Sequence, residues 1–172
     1  DAPTLEVADV WLSQLKGSVH YFKVGLELFT AHSWKAVNLV KNYGGKVFLD
    51  LKLHDIPNTV SRTLAAVCEH DVDMVNVHAL GGFEMMKMAR EAVDKYSAGR
   101  VKRPKLIAVT ILTSHDQKSL SKDLRVRGSI KKEVLHLAGL AKKAGLDGIV
   151  CSPEETAWAR KKFREDFLIV TP

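Results

Sequence analysis

Val47-Phe-Leu-Asp50-Leu-Lys52-Leu-His-Asp55-Ile-Pro-Asn-Thr59 is an apolar run with charges set at alternate positions. Strand side chains point to opposite faces in turn. Val47, Leu49, Leu51 and Leu53 therefore make one face, suited to packing under helices, while Phe48, Asp50 and Lys52 share the other. A carboxylate and an ammonium on an enclosed strand face are costly to desolvate unless they pair or do chemistry. Read blandly, Asp50 and Lys52 form a structural ion pair. The third charge, Asp55, follows in the loop at the strand's carboxyl end, where barrel active sites lie, and favours a catalytic cluster. Two carboxylates around one ammonium favour its charged form. That suits a proton donor better than a Schiff-base nucleophile, which wants a depressed pKa and an apolar pocket. The chemistry suggested is stabilisation and protonation of a carbanion.

Outward from this stretch the chain alternates. Apolar, β-branched runs occur at 22–28, 46–53, 74–80, 106–112, 148–151 and 167–170. Helical periodicity separates them, as in Phe83, Met86, Ala89, Val93, Tyr96 and in Val134, Leu137, Leu140, Ala141. Pro57 suits the first turn of a helix running to about Glu69, since its missing N–H would be unpaired there anyway. Gly44-Gly45 and Gly145 sit where helices need a left-handed exit, and Gly81-Gly82 closes a strand tightly. Strand–helix–strand repetition without hairpin turns predicts a parallel sheet. No glycine-rich dinucleotide fingerprint follows the first strand, which weakens an open doubly wound sheet. Polar residues recur at strand ends, in Asp50/Lys52, Asn76/His78, Thr110/Thr113 and Ser152, as in an eight-stranded (β/α)8 TIM barrel whose strands share one mouth. Such barrels typically need about 250 residues. The 172 residues are thus expected to be a single barrel domain, residues 1–172, incomplete at both ends. Asp1 is read as the end of a first strand, and the C-terminal part of the barrel is expected beyond Pro172.

Composition is ordinary for a soluble globular domain. No apolar run approaches the roughly 20 residues of a membrane span, and the N-terminal residues lack signal-peptide character. Cys68 and Cys151 have no metal-type spacing and read as buried thiols in a reducing, cytoplasmic compartment. The net charge of +6 comes from basic residues spread over helix-like stretches, without a zinc-finger or RNP-like pattern. An anionic small substrate explains it more simply than nucleic acid. No metal-ligand spacing and no cofactor motif stand out, so neither metal nor cofactor is expected.

Asp50-Leu-Lys52-Leu-His-Asp55-Ile-Pro-Asn-Thr59 resembles the signature of the orotidine 5′-phosphate decarboxylase family, most of all its bacterial branch. The resemblance extends through Phe22-Lys-Val-Gly-Leu-Glu-Leu-Phe-Thr30, Val75-Asn-Val-His-Ala79, Ala108-Val-Thr-Ile-Leu-Thr-Ser114, Gly145-Leu-Asp-Gly-Ile-Val-Cys-Ser152 and Val170-Thr-Pro172. It covers essentially the whole chain. It implies conversion of orotidine 5′-monophosphate to uridine 5′-monophosphate and CO2 in pyrimidine synthesis, without a cofactor. On this resemblance Lys52 protonates C6 of the pyrimidine, and Asp50 lies beside the departing carboxylate and holds Lys52. Lys23 joins the charge network and reaches the ribose, Asp1 binds the ribose, and Thr113 contacts the substrate. Asp55, Ile56 and Thr59 match positions given to the neighbouring subunit's site in a homodimer. The family's phosphate grip, including an arginine, falls beyond Pro172.

Two alternatives stay open. The Asp-x-Lys-x-x-Asp core is shared with sugar-phosphate decarboxylase or aldolase relatives that use magnesium, although Ile56-Pro-Asn-Thr59 argues against them. A catalytically silent barrel binding a phosphorylated ligand is the other. Among remaining residues, His78 reads as a hydrogen-bonded barrel residue rather than a ligand, and the role of His54 is open. Met85, Met86 and Met88 read as core packing or a helix interface.

Overall fold

The computed structural model describes residues 2–100 and 102–172. Its strands are β1 (Tyr21–Gly25), β2 (Lys46–Leu53), β3 (Met74–His78), β4 (Lys105–Val109), β5 (Gly148–Val150) and β6 (Leu168–Val170). They form one sheet in strict chain order, every neighbour parallel to the next. Helix α1 (Leu5–Leu15) precedes β1; α2 (Leu26–His32) and α3 (Trp34–Asn42) lead to β2, and α4 (Pro57–Cys68) to β3. Helix α5 (Gly82–Ser97) leads to β4, α6 (Gln117–Lys122) and α7 (Ile130–Lys143) to β5, and α8 (Thr156–Phe163) to β6. This is the winding of a β/α barrel with six strands in place. Among the described residues β1 and β6 are not paired with each other.

The alternation read in β2 appears as two separate apolar clusters. Val47 and Leu49 join Val75, Val77, Leu106, Ala108 and Ile149 in the large core between sheet and helices. Phe48 instead meets Met74 and Ile107 on the other face, with Val150, Leu168 and Val170 against them. A sheet with its own apolar cluster on the side away from the helices is curling inward, as barrel strands do. Gly148 permits the tight approach of β5 to β6, because a Cβ there would run into the Leu168 backbone.

Two runs are shorter as strands than their apolar length suggests. The run at 22–28 stops at Gly25, and Leu26 opens α2. The run at 74–80 ends at His78, where a 3₁₀ turn (Ala79–Gly81) begins. Hydrophobicity persists through both because α2 and the turn also bury residues, Leu28 and Ala79 among them. Pro57 occupies the first turn of α4, as its chemistry requires. Met85 and Met86 are fully buried in the core. Cys68 and Cys151 are buried free thiols, and burial pushes Cys151 up to about 11. No helix is long and apolar enough to cross a membrane among the described residues.

The amino ends of the strands are tied by two aspartates, Asp73 buried and Asp147 partly buried. Asp73, just before β3, accepts from the Val47 backbone N–H of β2 at 2.8 Å and pairs with Lys41 at 2.6 Å and with Lys102. Asp147, just before β5, repeats the device on Leu106 of β4 at 2.8 Å and pairs with Arg90 and Arg103. Charge at this end of a barrel serves stability, which leaves the opposite end for chemistry.

Candidate active site

At the carboxyl ends of the strands, Asp50 is the centre. Its register partner on β1 is Gly25, so Lys23 stands two residues back and reaches across to it. Asp50 is 7% exposed. One carboxylate oxygen accepts from Lys52 Nζ at 2.8 Å and from Asn76 Nδ2 at 2.6 Å. The other lies 3.3 Å from Lys23 Nζ. Burial alone would push this carboxyl up. The bonds from Lys52 and Asn76 and the two positive charges outweigh it and hold Asp50 below the usual carboxylate range.

Strand β2 is irregular here. Leu49 is in register with Val75, but Leu53 is in register with Val77, so three residues of β2 face one of β3. Lys52 takes a left-handed backbone with φ 50°. For a residue with a Cβ this costs about 1–2 kcal/mol, and such strain persists only where the surroundings enforce it. The Lys52 backbone N–H donates to Asn76 Oδ1 at 2.7 Å.

Asp55 does not join this cluster within the chain. Its carboxylate accepts from the Ile56 backbone N–H at 2.7 Å in the exposed turn that opens α4. In place of the expected two carboxylates around Lys52, the described residues put two ammoniums, Lys52 and Lys23, on the one carboxylate of Asp50. Asp55 is engaged instead by the backbone of its own turn, while β1 brings in Lys23. Ile56 is 66% exposed, and Thr59 is exposed on the first turn of α4. Asp1 lies outside the described residues.

The cluster opens into a cavity of about 770 Å³ lined by Lys23, Phe48, Asp50, Lys52 and Thr113, among others. That volume is within the usual range for small-molecule sites, roughly 300–1,000 Å³. Thr113 also lines a neighbouring hollow of about 700 Å³ with His115, Lys131 and Trp158, which contains none of the charged cluster. Among the described residues no group of three or more His, Cys, Asp or Glu is placed to hold a metal.

His78 ends β3 on the same inward parity as Asn76. Its Nδ1 accepts from the Leu80 backbone N–H at 3.3 Å, and its ring stacks on His54 at 5.2 Å. Burial pushes the imidazole down to about 4, with the charges of His54, Lys52 and His115 adding to the effect. It is a hydrogen-bonded residue of the barrel wall, as read from the sequence. Asn76 is the member of the site to which sequence reasoning assigned no role. The available signal was its parity on β3, inward and beside β2.

A chain-ordered parallel sheet with ionised side chains gathered at the strands' carboxyl ends is the mark of the β/α barrel enzymes. The chain belongs to one family within that class, the orotidine 5′-phosphate decarboxylase / HUMPS family, whose profile matches residues 1–172. It is 46% identical over 172 residues to orotidine 5′-phosphate decarboxylase of Listeria welshimeri, covering 100% of this chain and 73% of that protein. It is 48% identical over 166 residues to the protein of the same name from Syntrophotalea carbinolica, covering 96% of this chain and 68% of that one. The crystal structure of orotidine 5′-phosphate decarboxylase from Lactobacillus acidophilus matches with a TM-score of 0.92 at 38% identity, covering 100% of this chain and 77% of that chain.

Proposed function

We propose that this protein decarboxylates orotidine 5′-monophosphate to uridine 5′-monophosphate and CO2, a step of pyrimidine synthesis. The observation that carries the reading is the buried Asp50 carboxylate gripped by Lys52 and Lys23 at the wall of a nucleotide-sized cavity, in a chain of this family. As the bond from C6 to the carboxylate breaks, its electron pair stays on C6 and takes a proton from Lys52 Nζ. Solvent then reprotonates the amine. Asp50 holds that ammonium in place and lies beside the departing carboxylate. Two ammoniums beside the Asp50 carboxylate bring positive charge to the cavity wall, which favours an anionic substrate and the developing carbanion. Lys23 is assigned to the ribose and Thr113 to the substrate, with Asp1 as a further ribose contact.

Residues 1–172 are read as one barrel domain that an eight-stranded closure would complete. The active unit is read as a cytoplasmic homodimer, in which Asp55, Ile56 and Thr59 serve the partner's site. Their exposure, and the absence of Asp55 from its own chain's cluster, support this. No cofactor, metal, nucleic acid or membrane enters the reading.

The test is CO2 release from orotidine 5′-monophosphate by the natural protein, with and without a chelator. Turnover that survives the chelator supports the decarboxylase. Turnover of a sugar phosphate that the chelator abolishes points to the magnesium-dependent relatives. Binding of phosphorylated ligands without any turnover leaves the silent barrel.

A further inference from the structure

Asn76 stands where the pairing of β2 with β3 departs from register. Asp50, Leu51 and Lys52 all lie opposite it, because Leu49 is held to Val75 and Leu53 to Val77. A bulged strand leaves backbone groups without ladder partners. Here the Lys52 N–H is satisfied by Asn76 Oδ1 at 2.7 Å, while Asn76 Nδ2 donates to Asp50 Oδ1 at 2.6 Å. The same Asp50 oxygen receives Lys52 Nζ at 2.8 Å. Asn76 is fully buried, so water does not substitute for either bond.

We propose that Asn76 is a positioning residue for the decarboxylation, its one amide fixing both the left-handed backbone of Lys52 and the carboxylate that aims the Lys52 ammonium. The inference rests on the functional reading above. An amide is needed because the position must accept from one neighbour and donate to the other. A carboxylate can only accept, and an apolar side chain can do neither. Without the pair of bonds, the bulge relaxes and Asp50 loses a partner that sets its direction. Displacement of a reacting group by about 1 Å can cost about 10²-fold in rate.

Asn76→Asp separates positioning from mere support, because the two side chains have nearly the same shape. Ionised, the introduced carboxyl can still accept from Lys52 N–H but opposes Asp50. Protonated, its O–H restores the missing donor. The groups facing it are Asp50 and Lys52 on β2, Lys23 on β1 and His78 further along β3. Two carboxyls sharing one site have one pKa strongly raised. All of the facing groups are present in the parent too, so the ratio of variant to parent isolates the new group.

The measurement is kcat and KM for orotidine 5′-monophosphate with the natural protein and its Asn76→Asp variant, from about pH 5 to about pH 8.5, a span chosen to bracket a raised carboxyl pKa. The expected result is a kcat about 10²-fold below the parent at the alkaline end, with KM within a few-fold. The deficit should shrink as pH falls and the introduced carboxyl takes up its proton. A variant-to-parent ratio of kcat that is flat across the range overturns the proposal, whatever its size. Loss of folded circular dichroism in both Asn76→Asp and Asn76→Ala overturns it as well, by assigning Asn76 to support of the bulge. A parent that does not turn over removes the functional reading and the positioning role with it; a parent that turns over beside a flat ratio removes only the latter.

Discussion

Lys52 Nζ reaches back to Asp50 Oδ1 at 2.8 Å from two residues further along the same strand. In a regular strand, residues two apart stand about 6.6 Å apart along the chain and point the same way. The left-handed turn at Lys52 and the offset against β3 break that regularity, and Lys23 of β1 closes on the other carboxylate oxygen. The result is an anion buried on one strand with a cation on each side.

Replacing the proposed proton donor should remove the chemistry and leave the ligand site. Lys52→Ala is expected to abolish turnover while the protein stays folded and still binds uridine 5′-monophosphate. Positioned proton transfer alone contributes roughly 10²–10⁴-fold, and loss of the ammonium also removes stabilisation of the carbanion. Steady-state assays and product titration check this. A variant within tenfold of the parent rate would take Lys52 out of the mechanism.

Asp50→Asn keeps the shape of the side chain and deletes the charge that Lys52 and Lys23 share. Turnover should fall by at least about 10²-fold, on the scale of losing an oriented catalytic group. The sheet should stay packed on its core, because Phe48 and Leu49 on either side of the strand are untouched. Thermal unfolding and kinetics are measured together. If instability is the main effect, Asp50 is a structural ion-pair member.

His78 should make stability depend on pH. Its imidazole is held down to about 4 in the folded protein, by burial first and then by neighbouring positive charge, against 6.5 as the ordinary value. The unfolded chain therefore takes up this proton at higher pH than the folded one. The contribution is full above about 6.5 and is lost as pH falls from there towards about 4, amounting to on the order of 3 kcal/mol at most. His78→Asn keeps an acceptor for the Leu80 N–H and does not titrate. Urea unfolding at pH values above and below this window should show a larger acid loss in the parent than in the variant. Equal losses would place the titration elsewhere.

The shared-site reading predicts complementation. Lys52→Ala and Asp55→Ala are each expected to be inactive alone. In a two-fold dimer each subunit gives and receives the same patch. A mixed dimer then has one site with both defects and one with neither. Random exchange makes about half the dimers mixed, so roughly a quarter of all sites should regain full activity by this symmetry. If subunit exchange is verified and activity stays at the level of the separate variants, Asp55 works within its own chain.

Much of this protein is legible in local pattern. The faces of β2 follow from alternation, and the structure puts Phe48 with Met74 and Ile107 on one side and Val47 and Leu49 under the helices on the other. The Pro57 helix start and the alternation of strand and helix along the chain follow from similarly short-range rules. The Asp50–Lys52 pair is legible as well, as opposite charges two residues apart in one run. The rest depended on which strands become neighbours. Lys23 reaches Asp50 because β1 pairs with β2 in one register, and Asn76 finds both Asp50 and Lys52 because β2 slips against β3. Proximity in sequence groups Asp55 with them, yet in the folded chain its carboxylate is taken by the Ile56 backbone N–H. Parity and capping are properties of a few consecutive residues, so the chain carries them openly. Register, bulge and the left-handed Lys52 arise from the competition of whole strands for partners, and only the assembled sheet decides that.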